Sequence, residues 1–274
     1  MTQFRAKKRL GQNFLTDRRI LDAIVDAANL TPEDRVLEIG PGQGVLTREL
    51  ASRAGQVVAV ELDRDLKPIL EPLQAEFPNL GIVWNDFLKV EWQDLGLPES
   101  GTKVVANIPY YITTPILLKL LHEEELTNKP FAELTGRVSD IFLMVQAEVA
   151  DRLNAKPSTK DYGSITVLVQ YAATVETVVK VPRTAFKPAP NVDSKVIRLR
   201  PRTEPLVDVK QPRVFFKVVR AAFNQRRKTL LNALSMSFDK DRLREAEAAT
   251  GISLTRRGET LMLDEFATLA NALS

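Results

Sequence analysis

Asn107-Ile108-Pro109-Tyr110-Tyr111 is the stretch of this chain whose residue types and order say most about chemistry. Pro109 has no N–H for a sheet ladder and fixes its own φ, so a strand arriving at Asn107 must stop there in a rigid turn. The side-chain amide oxygen of Asn107 and the carbonyl of Ile108 can then converge as two acceptors on one point. Such a pair suits an exocyclic amine, and Tyr110 offers a ring on which a flipped base stacks. An amine of the adenine N6 type is a poor nucleophile, because its lone pair is delocalised into the ring. Two fixed acceptors draw it toward tetrahedral geometry and stabilise the positive charge that develops during attack. A reaction whose leaving group is a neutral thioether needs neither a metal nor a basic histidine. Taken alone, the same five residues also fit an ordinary turn.

A second constellation lies upstream. Arg35-Val36-Leu37-Glu38-Ile39 is a short apolar run that breaks into Gly40-Pro41-Gly42-Gln43-Gly44 before a helical stretch. Strand, glycine turn and helix make a nucleotide-type binding unit, because glycines admit a ligand close to the backbone and the helix N-terminus offers free N–H groups. The G-x-G-x-G spacing differs from the G-x-G-x-x-G of pyrophosphate binders. Glu61 ends the next β-rich run, where it can accept from a ribose hydroxyl pair. Asp86 ends the third, at the ligand-binding edge of a parallel sheet. Each acid has a plainer reading, Glu61 as a solvated strand end and Asp86 as a turn cap.

The elements that must position these residues follow from periodicity. Ile20, Leu21, Ile24, Val25 and Ala28 recur at helical spacing over residues 18–29. Strand candidates at 35–39, 56–61, 81–84, 103–106 and 141–145 alternate with helical patterns, which predicts βαβ crossovers and a parallel sheet covered on both faces. After residue 172 the rhythm changes. Runs 174–181 and 192–199 are separated only by a proline-rich loop, too short for a crossover, so this pair is predicted antiparallel. Residues 200–205 read as a domain edge. Beyond them only helices are predicted, at 212–223, 226–234, 239–249 and 264–273.

Composition narrows the chemistry. The 274 residues suggest two domains, with no cysteine and a single histidine, His122. Disulfides, thiolate metal sites and cysteine nucleophiles are excluded, zinc catalysis and Ser-His triads are disfavoured, and no metal is expected. No run of 18 apolar residues predicts a transmembrane span and no apolar h-region follows the basic start, so a cytoplasmic protein is expected. The net charge of +3 conceals a polarity: residues 1–19 carry +5, residues 20–182 carry −10 and residues 183–274 carry +8. Basic ends on an acidic body suit a polyanionic partner, although uneven solvated surface gives the same pattern.

These motifs together resemble the ribosomal RNA adenine dimethyltransferases, a family that includes the bacterial small-subunit (16S) enzymes linked to kasugamycin sensitivity. The likeness runs through Gly11-Gln12-Asn13-Phe14-Leu15, the Glu38–Gly44 turn, Glu61, Asn85-Asp86-Phe87 and Asn107–Tyr111. It continues through Phe186-Lys187-Pro188-Ala189-Pro190-Asn191-Val192-Asp193-Ser194 and Phe223-Asn224-Gln225-Arg226-Arg227-Lys228-Thr229-Leu230. The resemblance implies S-adenosyl-L-methionine as donor and two adjacent adenosines near the 3′ end of 16S ribosomal RNA as target, each methylated twice at N6. It implies that Asn13 and Leu15 help close the cofactor site, that Gly40 and Gly42 face the methionine part, Glu61 the ribose and Asp86 the adenine amine. Asn107, supported by Pro109, would touch both cofactor and target. Tyr110 would stack on the target base, with Phe186 packing from another side or serving as a plain loop anchor. Tyr111 is a departure, since smaller residues are admissible there.

The expected architecture is a Rossmann-like α/β methyltransferase domain over 1–202, with a mostly parallel seven-stranded sheet containing one antiparallel strand. A small all-helical domain over 203–274 follows. Arg213, Lys217 and Arg220 share one helix face and Arg226-Arg227-Lys228 follow at once, so they are candidates for phosphate contacts that position an RNA without reading its sequence. The partner expected is 16S ribosomal RNA within a precursor of the 30S subunit, met by a monomer. The competing readings are a large-subunit methyltransferase, a DNA adenine methyltransferase, and a non-catalytic assembly factor that retains the pocket.

Overall fold

The computed structural model describes Lys7, residues 11–121 and residues 137–274. Arg5, Lys8 and Arg9 of the basic start, and His122 with its acidic neighbours, lie outside the described residues. The chain forms two compact units. One is drawn from Met1–Leu120, Gly136–Ala150 and Val175–Pro201, the other from Leu121–Thr135, Asp151–Thr174 and Arg202–Ser274.

The first unit is built on a seven-stranded sheet. Its strands are β2 (Arg35–Ile39), β3 (Gln56–Val60), β4 (Leu80–Val83), β5 (Thr102–Asn107), β6 (Val138–Gln146), β7 (Ala173–Val181) and β9 (Ser194–Pro201), in the order β4-β3-β2-β5-β6-β9-β7. Pairs β2–β3, β2–β5, β3–β4 and β5–β6 are parallel, whereas β6–β9 is antiparallel. The strand order reverses where β2 meets β5, and such switch points carry the ligand crevice at the carboxyl ends of the strands. The central strands are apolar on both faces, as a covered parallel sheet requires: Val36, Leu37, Val57, Val104, Val105 and Ile141 are all fully buried.

Helix α1 (Arg18–Ala28) begins at Asp17, whose side chain caps the Arg19 N–H, and ends at Asn29 in the left-handed region. It buries Leu21, Ile24, Val25 and Ala28, the stripe expected from the spacing. Helices α2 (Val45–Ala51) and α3 (Lys67–Glu76) follow β2 and β3, and α4 (Thr113–Leu121) follows β5. One pairing leaves no trace in the periodicity. Strands β1 (Phe14–Leu15) and β8 (Phe186–Lys187) form a two-stranded antiparallel sheet, with Thr16 N–H donating to the Ala185 carbonyl at 2.8 Å.

The second unit is helical: α5 (Ala147–Leu153), which begins in the first unit, α6 (Ser164–Ala172), α7 (Pro212–Asn224), α8 (Leu230–Leu234), α9 (Lys240–Thr250) and α10 (Leu263–Ala272). Its extent differs from a contiguous 203–274 segment because residues 151–174 pack into the same aromatic core. Tyr171 lies 5.0 Å from Phe215 and 6.2 Å from Phe216 between ring centroids, and the buried Tyr162 hydroxyl donates to the Leu261 carbonyl at 2.9 Å. Among the described residues, no helix is long and apolar enough to cross a membrane.

Candidate active site

The sheet unit carries a cavity at the carboxyl ends of β2, β3, β4 and β5. Its wall includes the glycine turn, Glu61, Asp86 and the Asn107–Tyr111 element, and residues Gly11–Leu15 close it from the N-terminal side. Most of the cofactor and acceptor positions expected from sequence meet here. Asn13, Leu15, Gly40, Gly42, Glu61, Asp86, Asn107, Pro109 and Tyr110 all line the cavity.

The glycine turn is required by geometry. Gly42 has φ +58°, and a Cβ there would stand 3.1 Å from the Phe14 ring. Gly44, with φ +76°, would place a Cβ 2.2 Å from Leu73 Cδ1, so it lets α2 start against α3. The turn leaves the Gly42 N–H free to donate to Glu61 Oε2 at 3.2 Å. The other Glu61 oxygen, Oε1, accepts from the Asp63 N–H at 2.7 Å. Glu61 is thus oriented by backbone and is not a loosely solvated strand end. Burial raises its pKa, the Asp63 and Gly42 N–H groups pull it back, and the Asp63 charge adds to the rise.

Asp86 is a turn cap at the cavity edge. Oδ1 caps the short turn Phe87–Lys89 by accepting from Leu88 N–H at 3.0 Å, while the side chain borders the cavity. The cap fixes the carboxylate at the edge where an exocyclic amine can be read.

Asn107 ends β5, and its Nδ2 donates to the Asn13 carbonyl at 3.3 Å. That bond commits the amide nitrogen and leaves Oδ1 as the unengaged acceptor, the orientation that acceptor chemistry needs. Tyr110 follows Pro109, whose φ of −59° turns the chain out of the strand. The Tyr110 hydroxyl and Ser194 Oγ lie 2.6 Å apart, and Ser194 is buried. Burial raises the Tyr110 pKa, so the phenol stays neutral and its ring is anchored at the far end. Tyr111 is 60% exposed on the cavity rim.

Phe186 is 4% exposed and packs in the hydrophobic core with Leu15 and Leu21, in keeping with its reading as a loop anchor, and it is not among the residues of the cavity wall. Pairing of β8 with β1 sets it directly opposite Leu15, which ties down the N-terminal segment.

Two further features concern charged side chains at the site and beside it. Glu38 is 1% exposed on the cavity wall, its Oε2 and Thr47 Oγ1 have no hydrogen-bond partner, and burial pushes its pKa up to about 8, with the Glu61 charge adding to the rise. Lys7 Nζ lies 2.5 Å from Asp63 Oδ1 and 2.6 Å from Asp65 Oδ2, and Gln12 Nε2 donates to Asp63 Oδ2 at 2.9 Å. These partners stand more than fifty positions apart in the chain, beyond any local pattern. The other described cations of the basic start are also paired, Arg18 with Asp22 and Glu49, and Arg19 with Asp17.

Among the described residues, no group of three His, Asp or Glu could hold a metal ion. The donor set instead fits a cofactor carrying a hydroxyl pair, an adenine amine and an ammonium. A hydroxyl pair suits the backbone-oriented Glu61 carboxylate and an amine suits the capped Asp86, while the buried Glu38 Oε2 has no hydrogen-bond partner among the described residues.

In the helical unit, Arg213, Lys217 and Arg220 form an exposed stripe on α7 while Phe215, Phe216, Val218 and Val219 are buried. The helix expected over 226–234 is shortened to Leu230–Leu234. Arg226 pairs with Glu259 at 2.8 Å and donates to the Lys160 carbonyl at 2.6 Å at the surface, and Arg226, Arg227 and Lys228 are all exposed.

Comparison with known proteins agrees with this geometry. The sequence model described as ribosomal RNA adenine dimethylase matches residues 3–274. Ribosomal RNA small subunit methyltransferase A of Bacillus cytotoxicus is 50% identical, covering 98% of this chain and 92% of its own. The protein of the same name from Moorella thermoacetica is also 50% identical, covering 97% and 92%. Among solved structures, the 23S rRNA methyltransferase ErmE is 31% identical with a TM-score of 0.65, covering 95% of this chain and 99% of its own. A dimethyladenosine transferase from Plasmodium falciparum is 24% identical with a TM-score of 0.73, covering 93% and 95%, and supports the fold. With a whole-chain family match and relatives half identical to it, this protein belongs to the ribosomal RNA adenine dimethylase family, enzymes that methylate ribosomal RNA with S-adenosylmethionine as donor.

Proposed function

We propose that the chain transfers methyl groups to N6 of two adjacent adenosines in a loop near the 3′ end of 16S ribosomal RNA, giving N6,N6-dimethyladenosine during small-subunit assembly. The observation that carries this reading is the fixed amide of Asn107, held by the Asn13 carbonyl beside a ring anchored through Ser194. When bound, the cofactor supplies a sulfonium methyl and departs as a neutral thioether. Asn107 Oδ1 and the Ile108 carbonyl accept from the amine and favour its pyramidal, attacking form. Tyr110 stacks on the flipped base, and the amine's proton passes to water. Glu61 holds the ribose hydroxyls, Asp86 the adenine amine, and Asn13, Leu15, Gly40 and Gly42 enclose the methionine side.

In this reading residues 1–202 carry methyl transfer and 203–274 carry RNA and ribosome binding. Arg213, Lys217, Arg220, Arg227 and Lys228 contact phosphates, and the shape of a 30S precursor supplies specificity. Arg226, grouped with them by sequence, acts by holding their loop. The enzyme works as a monomer in the cytoplasm. The 31% likeness to ErmE raises the large subunit as the competing target, and the 50% identity to small-subunit enzymes argues against it. The test offers labelled S-adenosylmethionine with undermethylated small subunits, mature large subunits and DNA, and maps the modified base. Label on adjacent small-subunit adenosines is expected, and label confined to large subunits or DNA contradicts the assignment.

A further inference from the structure

Lys7 sits in the most basic part of the sequence, yet it faces inward onto acids. Its ammonium bridges Asp63 and Asp65, its backbone N–H donates to Gln12 Oε1 at 2.8 Å, and Gln12 returns its amide to Asp63. The chain of bonds then continues through the Asp63 N–H to Glu61 Oε1, and from Glu61 Oε2 to the Gly42 N–H. Asp63 is 5% exposed and stands two residues from a second buried carboxylate. Left unpaired, it would be a buried charge beside Glu61, which is unfavourable for both.

We propose that Lys7 and Gln12 are positioning residues for cofactor binding, acting through Asp63 to keep the Glu61 carboxylate aimed at the ribose hydroxyl pair. The inference rests on the reading that Glu61 takes those hydroxyls. Two further observations agree with it. Burial drives the Asp63 carboxyl upward, but the bonds from Lys7 and Gln12 outweigh it and hold the group below its usual range. The same N-terminal segment supplies the Asn13 carbonyl that orients Asn107, so one stretch sets both the cofactor and the acceptor side of the site. The charged groups near Glu61 are Asp63, which carries Lys7 and through it Asp65, and Glu38 from β2, and Asp86 lines the same cavity.

The test uses the full chain and compares Lys7→Met, Lys7→Arg, Gln12→Leu and Glu61→Gln by calorimetric binding of S-adenosylmethionine. Steady-state kinetics on undermethylated subunits are measured alongside. Losing a charge-assisted bond predicts roughly tenfold weaker cofactor binding for Lys7→Met, with KM for cofactor rising more than kcat falls, and recovery in Lys7→Arg. The deficit should widen from pH 8 to pH 6, as Glu61 takes up a proton more readily beside an unneutralised Asp63. Thioadenosine ligands separate orientation from general disruption. The penalty should appear with 5′-methylthioadenosine and vanish with its 2′,3′-dideoxy analogue. An equal penalty on both analogues, or unchanged cofactor affinity with weakened RNA binding, would overturn the role and make Lys7 structural or a phosphate ligand. Unchanged affinity in Glu61→Gln would instead overturn the ribose assignment on which the inference stands.

Discussion

The two units hold their functional groups in opposite ways. In the sheet unit, the polar side chains of the site are buried or half-buried and fixed by named bonds: Glu61 by two N–H groups, Asn107 by a carbonyl and Tyr110 by a serine hydroxyl. In the helical unit, the candidate groups are exposed cations on α7 and on the loop after it, above an aromatic core that would be needed with or without RNA. Buried polar groups are costly unless matched, so their presence at strand ends points to a ligand. Exposed cations cost little, so their presence alone points nowhere. The geometry therefore marks a ligand site in the first unit, and the proposed RNA contacts of the second rest on charge alone.

This contrast is most vulnerable at the glycine turn. Gly42→Val forces a side chain into the left-handed region and against Phe14, and cofactor affinity should fall at least about a hundredfold while RNA binding persists. Calorimetry with cofactor and filter binding with RNA check the split. Next in size is Ser194→Ala. Without its partner at 2.6 Å the Tyr110 ring is less well held, and kcat should drop about tenfold with little change in cofactor affinity. If Tyr110→Phe lowers kcat equally and the double variant adds nothing, the two act as one unit.

Neutralising Arg213, Lys217 and Arg220 probes the helical unit. Affinity for RNA should weaken severalfold, and the logarithmic salt slope should fall by about 0.7 for each phosphate no longer neutralised. Arg226→Ala should lower the melting temperature of the helical unit by removing its bonds to Glu259 and Lys160, leaving the slope nearly unchanged. The smallest effect concerns Glu38. Its carboxyl keeps a proton to about pH 8 when folded but releases it near 4.5 when unfolded. The unfolded state thus binds fewer protons across that window, and this residue's contribution to stability declines as pH rises through it. Glu38→Gln should flatten the decline between pH 5 and pH 8 in denaturant titrations of the cofactor-free protein.

Much of the sheet unit is legible in the sequence because parallel strands announce themselves as apolar runs and their ends carry the ligand edge. Glu61, Asp86 and Asn107 can be named for that reason, and the order reversal explains why they meet. What escapes depends on contacts between distant residues. The β1–β8 pair is two residues long on each side, too short for periodicity, and it is what turns Phe186 into the core. Ser194 and Tyr110 are 84 positions apart, and Lys7 and Asp63 are 56 apart. A basic run reads as a solvated or RNA-facing stretch, and nothing local shows that Lys7 points inward. Arg226 misleads in the same way. It is as exposed as its neighbours, but its guanidinium is tied to Glu259 and the Lys160 carbonyl. Residues 151–174 join the helical unit because Tyr162 and Tyr171 pack into its aromatic core, which their position before β7 does not disclose.

The proposed methyl transfer depends on a side-chain amide, that of Asn107, oriented by the Asn13 carbonyl. The decisive measurement is made on Asn107→Ala in the full-length protein, following transfer from labelled S-adenosylmethionine to undermethylated small subunits together with binding to those particles. Transfer should fall by about two to three orders of magnitude while particle binding is retained, the loss expected when a preorganised acceptor is removed from a developing charge. Transfer at the wild-type rate would contradict that role for Asn107.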